Sequence, residues 1–140
     1  MNESKNPPRR SFAPSRWNAW VELLCCPLEN LNAIQRPAAL VFDYDGHVQN
    51  GGHSSHLDSL NAMYDDELLQ ALRAMGAHEQ ARILAEARIL KREADEAAED
   101  EQPVLWELIE ALDVQYYRSR PNIPELLAKY FDAHRESFPE

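Results

Sequence analysis

"ALVFDYDGHVQNGGHSSH", residues 39–56, is the stretch on which the reading of the fold turns. Read as a strand, Ala38–Phe42 is an apolar run that would deliver Asp43 and Asp45 to a sheet edge, in the manner of a phosphatase-type aspartate nucleophile. Read as a helix, the same residues place Leu40, Val41, Tyr44 and Val48 on one apolar face, with Asp43 and Asp45 on its polar side. Pro37 then fits the first turn, where its missing N–H costs nothing. Asn50-Gly51-Gly52 becomes the stop, because glycine tolerates the left-handed backbone a helix end requires. Ser54 or Ser55 is placed to cap the next helical segment.

The rest of the chain decides between the two. Upstream, Ser15 can cap a helix through Cys26, with Trp17, Trp20, Val21 and Leu24 on one face and Pro27 as its stop. Downstream, Asp65 is placed to cap a helix with Leu68, Leu69, Leu72 and Met75 on its apolar face, and Gly76 ends it. A longer helix is predicted from Ala77 to Glu93 or beyond, with Ala81, Leu84, Ala87 and Leu90 at spacings of three and four. Another begins at Pro103, with Val104, Leu105, Leu108, Ile109 and Leu112 as apolar positions, and Pro121 and Pro124 break it. A last one offers Leu126, Leu127, Tyr130, Phe131 and His134. A lone strand at 38–42 would have no partner. The expectation is therefore an all-α fold: one compact multi-helix domain over 15–140, preceded by a flexible basic, Pro-rich tail at 1–14.

This bears on the chemistry. Asp-x-Asp-Gly after an apolar run resembles the start of haloacid-dehalogenase-type enzymes, which would make the chain a metal-dependent hydrolase using Asp43 and Asp45. That mechanism needs a parallel sheet to gather its groups, and no second strand is in view. A calcium loop starting at Asp43 would need Gly sixth and Glu twelfth, where Val48 and Ser54 stand. His53 and His56 could share a helical turn near His47, yet no His-Glu-x-x-His or Cys-x-x-Cys pattern completes a zinc set. Whether these three histidines bind a metal is left open by the sequence. No catalytic residue, metal site or cofactor is assigned.

Composition narrows the class further. Hydrophobic residues at 44% and charged residues at 27% suit a globular chain. No apolar run approaches the ~20 residues of a membrane span, and the N-terminus lacks a secretory layout, so a cytoplasmic location is expected. The neighbouring Cys25 and Cys26 sit in an apolar setting and read as small buried hydrophobes rather than a disulfide. The formal net charge of −10 is uneven: residues 1–36 carry +2 and residues 37–140 carry −12. Such a surface repels phosphate backbones, which excludes direct nucleic-acid binding and favours a basic partner.

Two blocks then point to a family. The first is Val48-Gln49-Asn50-Gly51-Gly52 with Ser54-Ser55-His56 close behind, followed by Ala71-Leu72-Arg73-Ala74-Met75-Gly76-Ala77 and Ala81-Arg82-Ile83-Leu84-Ala85-Glu86-Ala87. The second is Leu112-Asp113-Val114-Gln115-Tyr116-Tyr117, with Leu126-Leu127-Ala128-Lys129-Tyr130-Phe131 after a spacer. Their order over about residues 15–138 resembles a bacterial domain-of-unknown-function family typified by an acidic, all-helical, dimeric DNA-mimic protein. The family usually places a Phe and an aromatic-rich segment after the glycines, where this chain has His53, Ser55 and His56.

The resemblance implies a non-enzymatic homodimer whose carboxylates occupy the basic surface of a DNA-binding protein such as a transcription factor. An immunity or antitoxin protein that neutralises a basic toxin or nuclease would use the same electrostatics. The candidate contact residues are Glu93, Asp95, Glu96, Glu99, Asp100 and Glu101, six acids in nine residues, with Glu86 nearby. Asp65, Asp66 and Glu67 form a second cluster, and Glu107, Glu110 and Asp113 a third.

Overall fold

Asn32 opens the central helix. Its side-chain oxygen accepts from the N–H groups of Ile34 at 2.9 Å and Gln35 at 2.8 Å, and the Gln35 side chain accepts from the Asn32 N–H at 3.1 Å. Three backbone donors are thereby satisfied by the reciprocal pair. The central helix, α1, runs Gln35–Leu57 and has Pro37 in its first turn. The computed structural model describes Asn18 and residues 21–138. The expected tail at 1–14, and Ser15, Trp17 and Trp20 of the expected first helix, lie outside them.

Among the described residues four further helices follow it: α2 Asp65–Ala74, α3 His78–Glu96, α4 Gln102–Arg118 and α5 Ile123–Ala133. Short 3-10 turns occupy Leu28–Asn30, Leu60–Tyr64 and Arg135–Ser137. Among the described residues there is no strand, so the fold is all-α. α2, α3, α4 and α5 each pack on α1, and α3 with α4 forms the most extensive pair, an antiparallel hairpin. The predicted α1 stripe of Leu40, Val41, Tyr44 and Val48 is buried, joined by Ala38 and Ala39. It meets Leu68 and Leu72 of α2, Ile83, Leu84 and Ala87 of α3, Leu112 and Tyr116 of α4, and Leu127 and Phe131 of α5 in one core. Each fully buried Val, Leu, Ile or Phe contributes about 1.5–3 kcal/mol of apolar burial.

The two ends of α2 are governed differently. Gly76 takes φ +88°, its N–H bonds the Arg73 carbonyl at 3.1 Å, and the Ala77 N–H bonds the Leu72 carbonyl at 2.7 Å. This paired closure is the one that favours glycine, as the sequence predicts. Asp65, by contrast, is not the cap: the N-cap position is Tyr64, which makes no side-chain capping bond, and the Asp65 carboxylate turns into the core.

Two further expectations are corrected. Residues 21–24 are helical, but Cys25 and Cys26 lie in the turn beyond and are exposed free thiols. In α4, Ile109 and Leu112 are buried as expected, whereas Val104 and Leu108 face outward. α4 is apolar on more than one side, so periodicity could not choose which side meets the core.

Candidate functional site

α1 is not continuous. At Gly51 and Gly52 the backbone leaves the helical region, and Gly52 takes φ +75°. The chain then resumes as helix through Leu57, so Asn50-Gly51-Gly52 is a stop followed at once by a restart. Neither Ser54 nor Ser55 caps the restart. Instead Asp113, on α4, reaches across: its Oδ1 accepts from the His53 backbone N–H at 2.8 Å and from His53 Nδ1 at 2.7 Å. A Cβ on Gly52 would drive into that carboxylate. Glycine is thus required twice here, by the positive φ and by the close approach.

The six residues 112–117 hold the break from three points. Beside the Asp113 cap, the Tyr116 hydroxyl donates to Asp45 Oδ1 at 2.5 Å and the Tyr117 hydroxyl donates to the Val48 carbonyl at 2.9 Å. Carbonyls in the last turn before a helix end lack intrahelical partners, and Tyr117 satisfies one of them. The block 48–52 and the block 112–117, read separately in the sequence, therefore meet face to face.

Behind them lies a buried polar network. With Nδ1–H of His53 donating to Asp113, Nε2 accepts from the Tyr44 hydroxyl at 2.7 Å. The order Asp113–His53–Tyr44 has the connectivity of an acid–base relay. Tyr44, however, is fully buried, and burial with nearby Asp65, Asp45 and Asp113 pushes its phenol well above the ordinary value, which keeps it protonated. Burial likewise lowers His53, outweighing the attraction of Asp113. Tyr116 is also pushed up, first by burial and then by Asp45. The network is a set of neutral rings tied to carboxylates, and it links α4 to α1.

His56 makes a second link: its Nε2–H donates to Asp65 Oδ1 at 2.7 Å, and Arg88 of α3 stands 3.7 Å from Asp65 Oδ2. Nδ1 of His56 is buried and has no hydrogen-bond partner among the described residues. His47 is elsewhere, 3.6 Å from Asp43 and 3.4 Å from the Ser55 hydroxyl. The three histidines thus point to different partners, and among the described residues no group of three or more His, Cys, Asp or Glu side chains is arranged to hold a metal. Asp43 and Asp45 lie within α1 rather than at a sheet edge, so the geometry the hydrolase reading needs is not formed by the described residues. A cleft of about 440 Å³ beside Asp43 and His47 is walled by Leu24 to Leu28 and by Asn50 and Asn61.

The acidic candidates divide. Glu93, Asp95, Glu96, Glu99, Asp100 and Glu101 are all exposed, at the tip where α3 turns into α4. Among the described residues only Asp95 of these six has an ion pair, with Lys91 at 2.9 Å. Glu107 and Glu110 continue the exposed acids along α4, and Glu86 on α3 is paired with Arg82 at 2.8 Å while remaining exposed. The second cluster does not stand as a surface. Asp65 is buried on His56, Glu67 is held by Arg36 at 2.5 Å, and only Asp66 is well exposed, 3.0 Å from Arg88. Asp113 is likewise committed to its capping role rather than to the surface. Sequence reasoning missed this Asp113–His53–Tyr44 link, since no local signal joins residues 60 positions apart.

No helix among the described residues is long and apolar enough to cross a membrane. No curated protein matches the chain. No solved structure matches it either. A family model described as DMP19-like protein does match, over residues 29–134, a span that takes in the broken helix, its clamp on α4 and the acidic tip. The chain belongs to the DMP19-like protein family.

Proposed function

We propose that this chain is a non-catalytic acidic binding protein of the DNA-mimic kind, whose carboxylates at the α3–α4 tip occupy the basic surface of a DNA-binding protein. The observation that carries the reading is the tip itself: six exposed acids within nine residues, five of them without an ion pair among the described residues. Family membership is compatible with it. Duplex DNA presents about one charge per 1.7 Å of axis. A helix turn rises about 5.4 Å, so a matching density needs acids from α3, the turn and α4 together, and the hairpin brings them together. A basic groove shaped for phosphates would meet carboxylates that are exposed and poorly neutralised.

The test is capture of the partner from the native cell, followed by binding measurements with Glu96, Glu99 and Asp100 changed together to Lys. Affinity should fall at least about a hundredfold, and the association rate of the unmodified protein should fall steeply as salt rises above about 0.1 M. Circular dichroism should be unchanged, because all three positions are exposed. Duplex DNA should displace the captured partner. Unchanged binding of the triple variant would defeat the proposal, and a captured toxin that DNA does not displace would turn it toward immunity.

A further inference from the structure

Building on the acidic-partner reading, we infer that the outer face of the α3–α4 hairpin is a docking strip for a basic amphipathic helix, bound through its apolar side as well as its charges. The Arg82 guanidinium donates to the Gln115 side chain at 2.8 Å, which sets the register of the antiparallel pair. Moving along α3 from Arg82 through Glu86, Ile89 and Glu93 therefore runs beside α4 from Gln115 back through Ala111, Leu108 and Val104. Ile89 is 50% exposed, Leu108 47%, Val104 60% and Val114 47%. On α4, Val104, Leu108 and Ala111 share one helix face, at the i, i+4, i+7 spacing of a face that would ordinarily be buried, and Val114 lies to one side of it.

The surroundings are mainly acidic. Glu86 and Glu93 flank Ile89 along α3 and Glu107 and Glu110 lie on α4, all exposed, with Arg82 paired to Glu86 at one end of the strip. An apolar centre with an acidic rim is complementary to a helix that carries Leu-type residues at i, i+4 and i+7 with Lys or Arg on either side. From Val104 to Gln115 the strip is about 16 Å long, which seats a partner helix of about three turns. Duplex DNA offers no apolar stripe, so this face asks for more than a copy of phosphate spacing. The rim argues against a second copy of the chain, which would set like charges against one another.

A fluorescein-labelled Lys-rich peptide of about three helical turns, with Leu at i, i+4 and i+7, is titrated with the full chain and followed by anisotropy. Its control has the same charge and Ser in place of Leu. The Leu peptide should bind at least about tenfold more tightly, and Val104→Gln with Leu108→Gln should abolish the difference. Changing Glu96, Glu99 and Asp100 to Lys should weaken both peptides. Equal binding of the two peptides overturns the strip while leaving the acidic reading intact. Absence of binding by either peptide also overturns it. Sedimentation showing a dimer that the Val104→Gln, Leu108→Gln variant converts to monomer assigns the face to a second copy and overturns it as well. The wild-type peptide comparison decides the matter even if the variant does not fold.

Discussion

Gly52, His53 and Asp113 act together although Asp113 lies 60 positions beyond His53. The positive φ of Gly52 turns the broken helix so that the His53 N–H faces a carboxylate, and the missing Cβ lets that carboxylate approach. Gly52→Ala should therefore destabilise the fold by about 2 kcal/mol or more, from backbone strain and the displaced cap. Urea unfolding measures it, and a loss under half that figure would show that Asp113 can move aside. His53 adds a pH dependence of definite sign. Its folded value is lowered by burial from the ordinary 6.5, so the unfolded chain takes up a proton that the folded chain refuses. Its contribution is fully present above about pH 6.5 and is lost as pH falls below that toward the lowered folded value. The slope reaches at most about 1.4 kcal/mol per pH unit. Comparing urea midpoints of wild type and His53→Gln between pH 8 and 5 isolates it, since Gln cannot titrate. Parallel profiles would remove His53 as the cause. The resemblance leads one to expect Phe at this position. His53 is accommodated because Asp113 and Tyr44 satisfy both of its nitrogens.

Among the helices, α5 carries a strong local start signal that the reading of Pro124 as a breaker passed over. α5 begins at Ile123 behind Asn122, whose side chain accepts from the Glu125 N–H at 3.0 Å while Glu125 accepts from the Asn122 N–H at 2.8 Å. With Pro124 in the first turn, this end is specified by four consecutive residues. Asn122→Ala should cost about 1 kcal/mol in urea unfolding, and a change below a few tenths would mean that tertiary packing alone holds the end. α4 is the contrasting case. Val104, Leu105, Leu108, Ile109 and Leu112 all read as core in the sequence, yet only Ile109 and Leu112 are buried. Its inward side is set by what α1 and α3 offer, with Tyr116 and Asp113 directed at the broken helix. That choice leaves Val104 and Leu108 outside, where they create the strip beside the acidic rim.

Across the molecule, charge and topology divide the acids into two populations. The net charge of −10 says nothing about which carboxylates meet solvent. Asp65 is buried on His56, and the half-buried Asp113, Glu67 and Asp45 are engaged by His53, Arg36 and Tyr116. Those at 93–101 stay outside and largely unpaired. Four cations interrupt the acids of α3: Arg82 pairs with Glu79 and Glu86, Arg88 with Asp66 and Lys91 with Asp95, while Arg92 is exposed and has no ion pair among the described residues. The order of helices, the breaks at Gly52 and Gly76, the buried stripe of α1 and the overall acidity were all legible in the sequence. Helical periodicity, turn chemistry and charge are local or additive properties of the chain. Cys25 and Cys26 outside, Asp65 inside, the outward face of α4 and the clamp of 112–117 on 48–53 were not legible. Each depends on which surfaces meet across long separations, where burial and hydrogen-bond satisfaction are settled only when the helices pack.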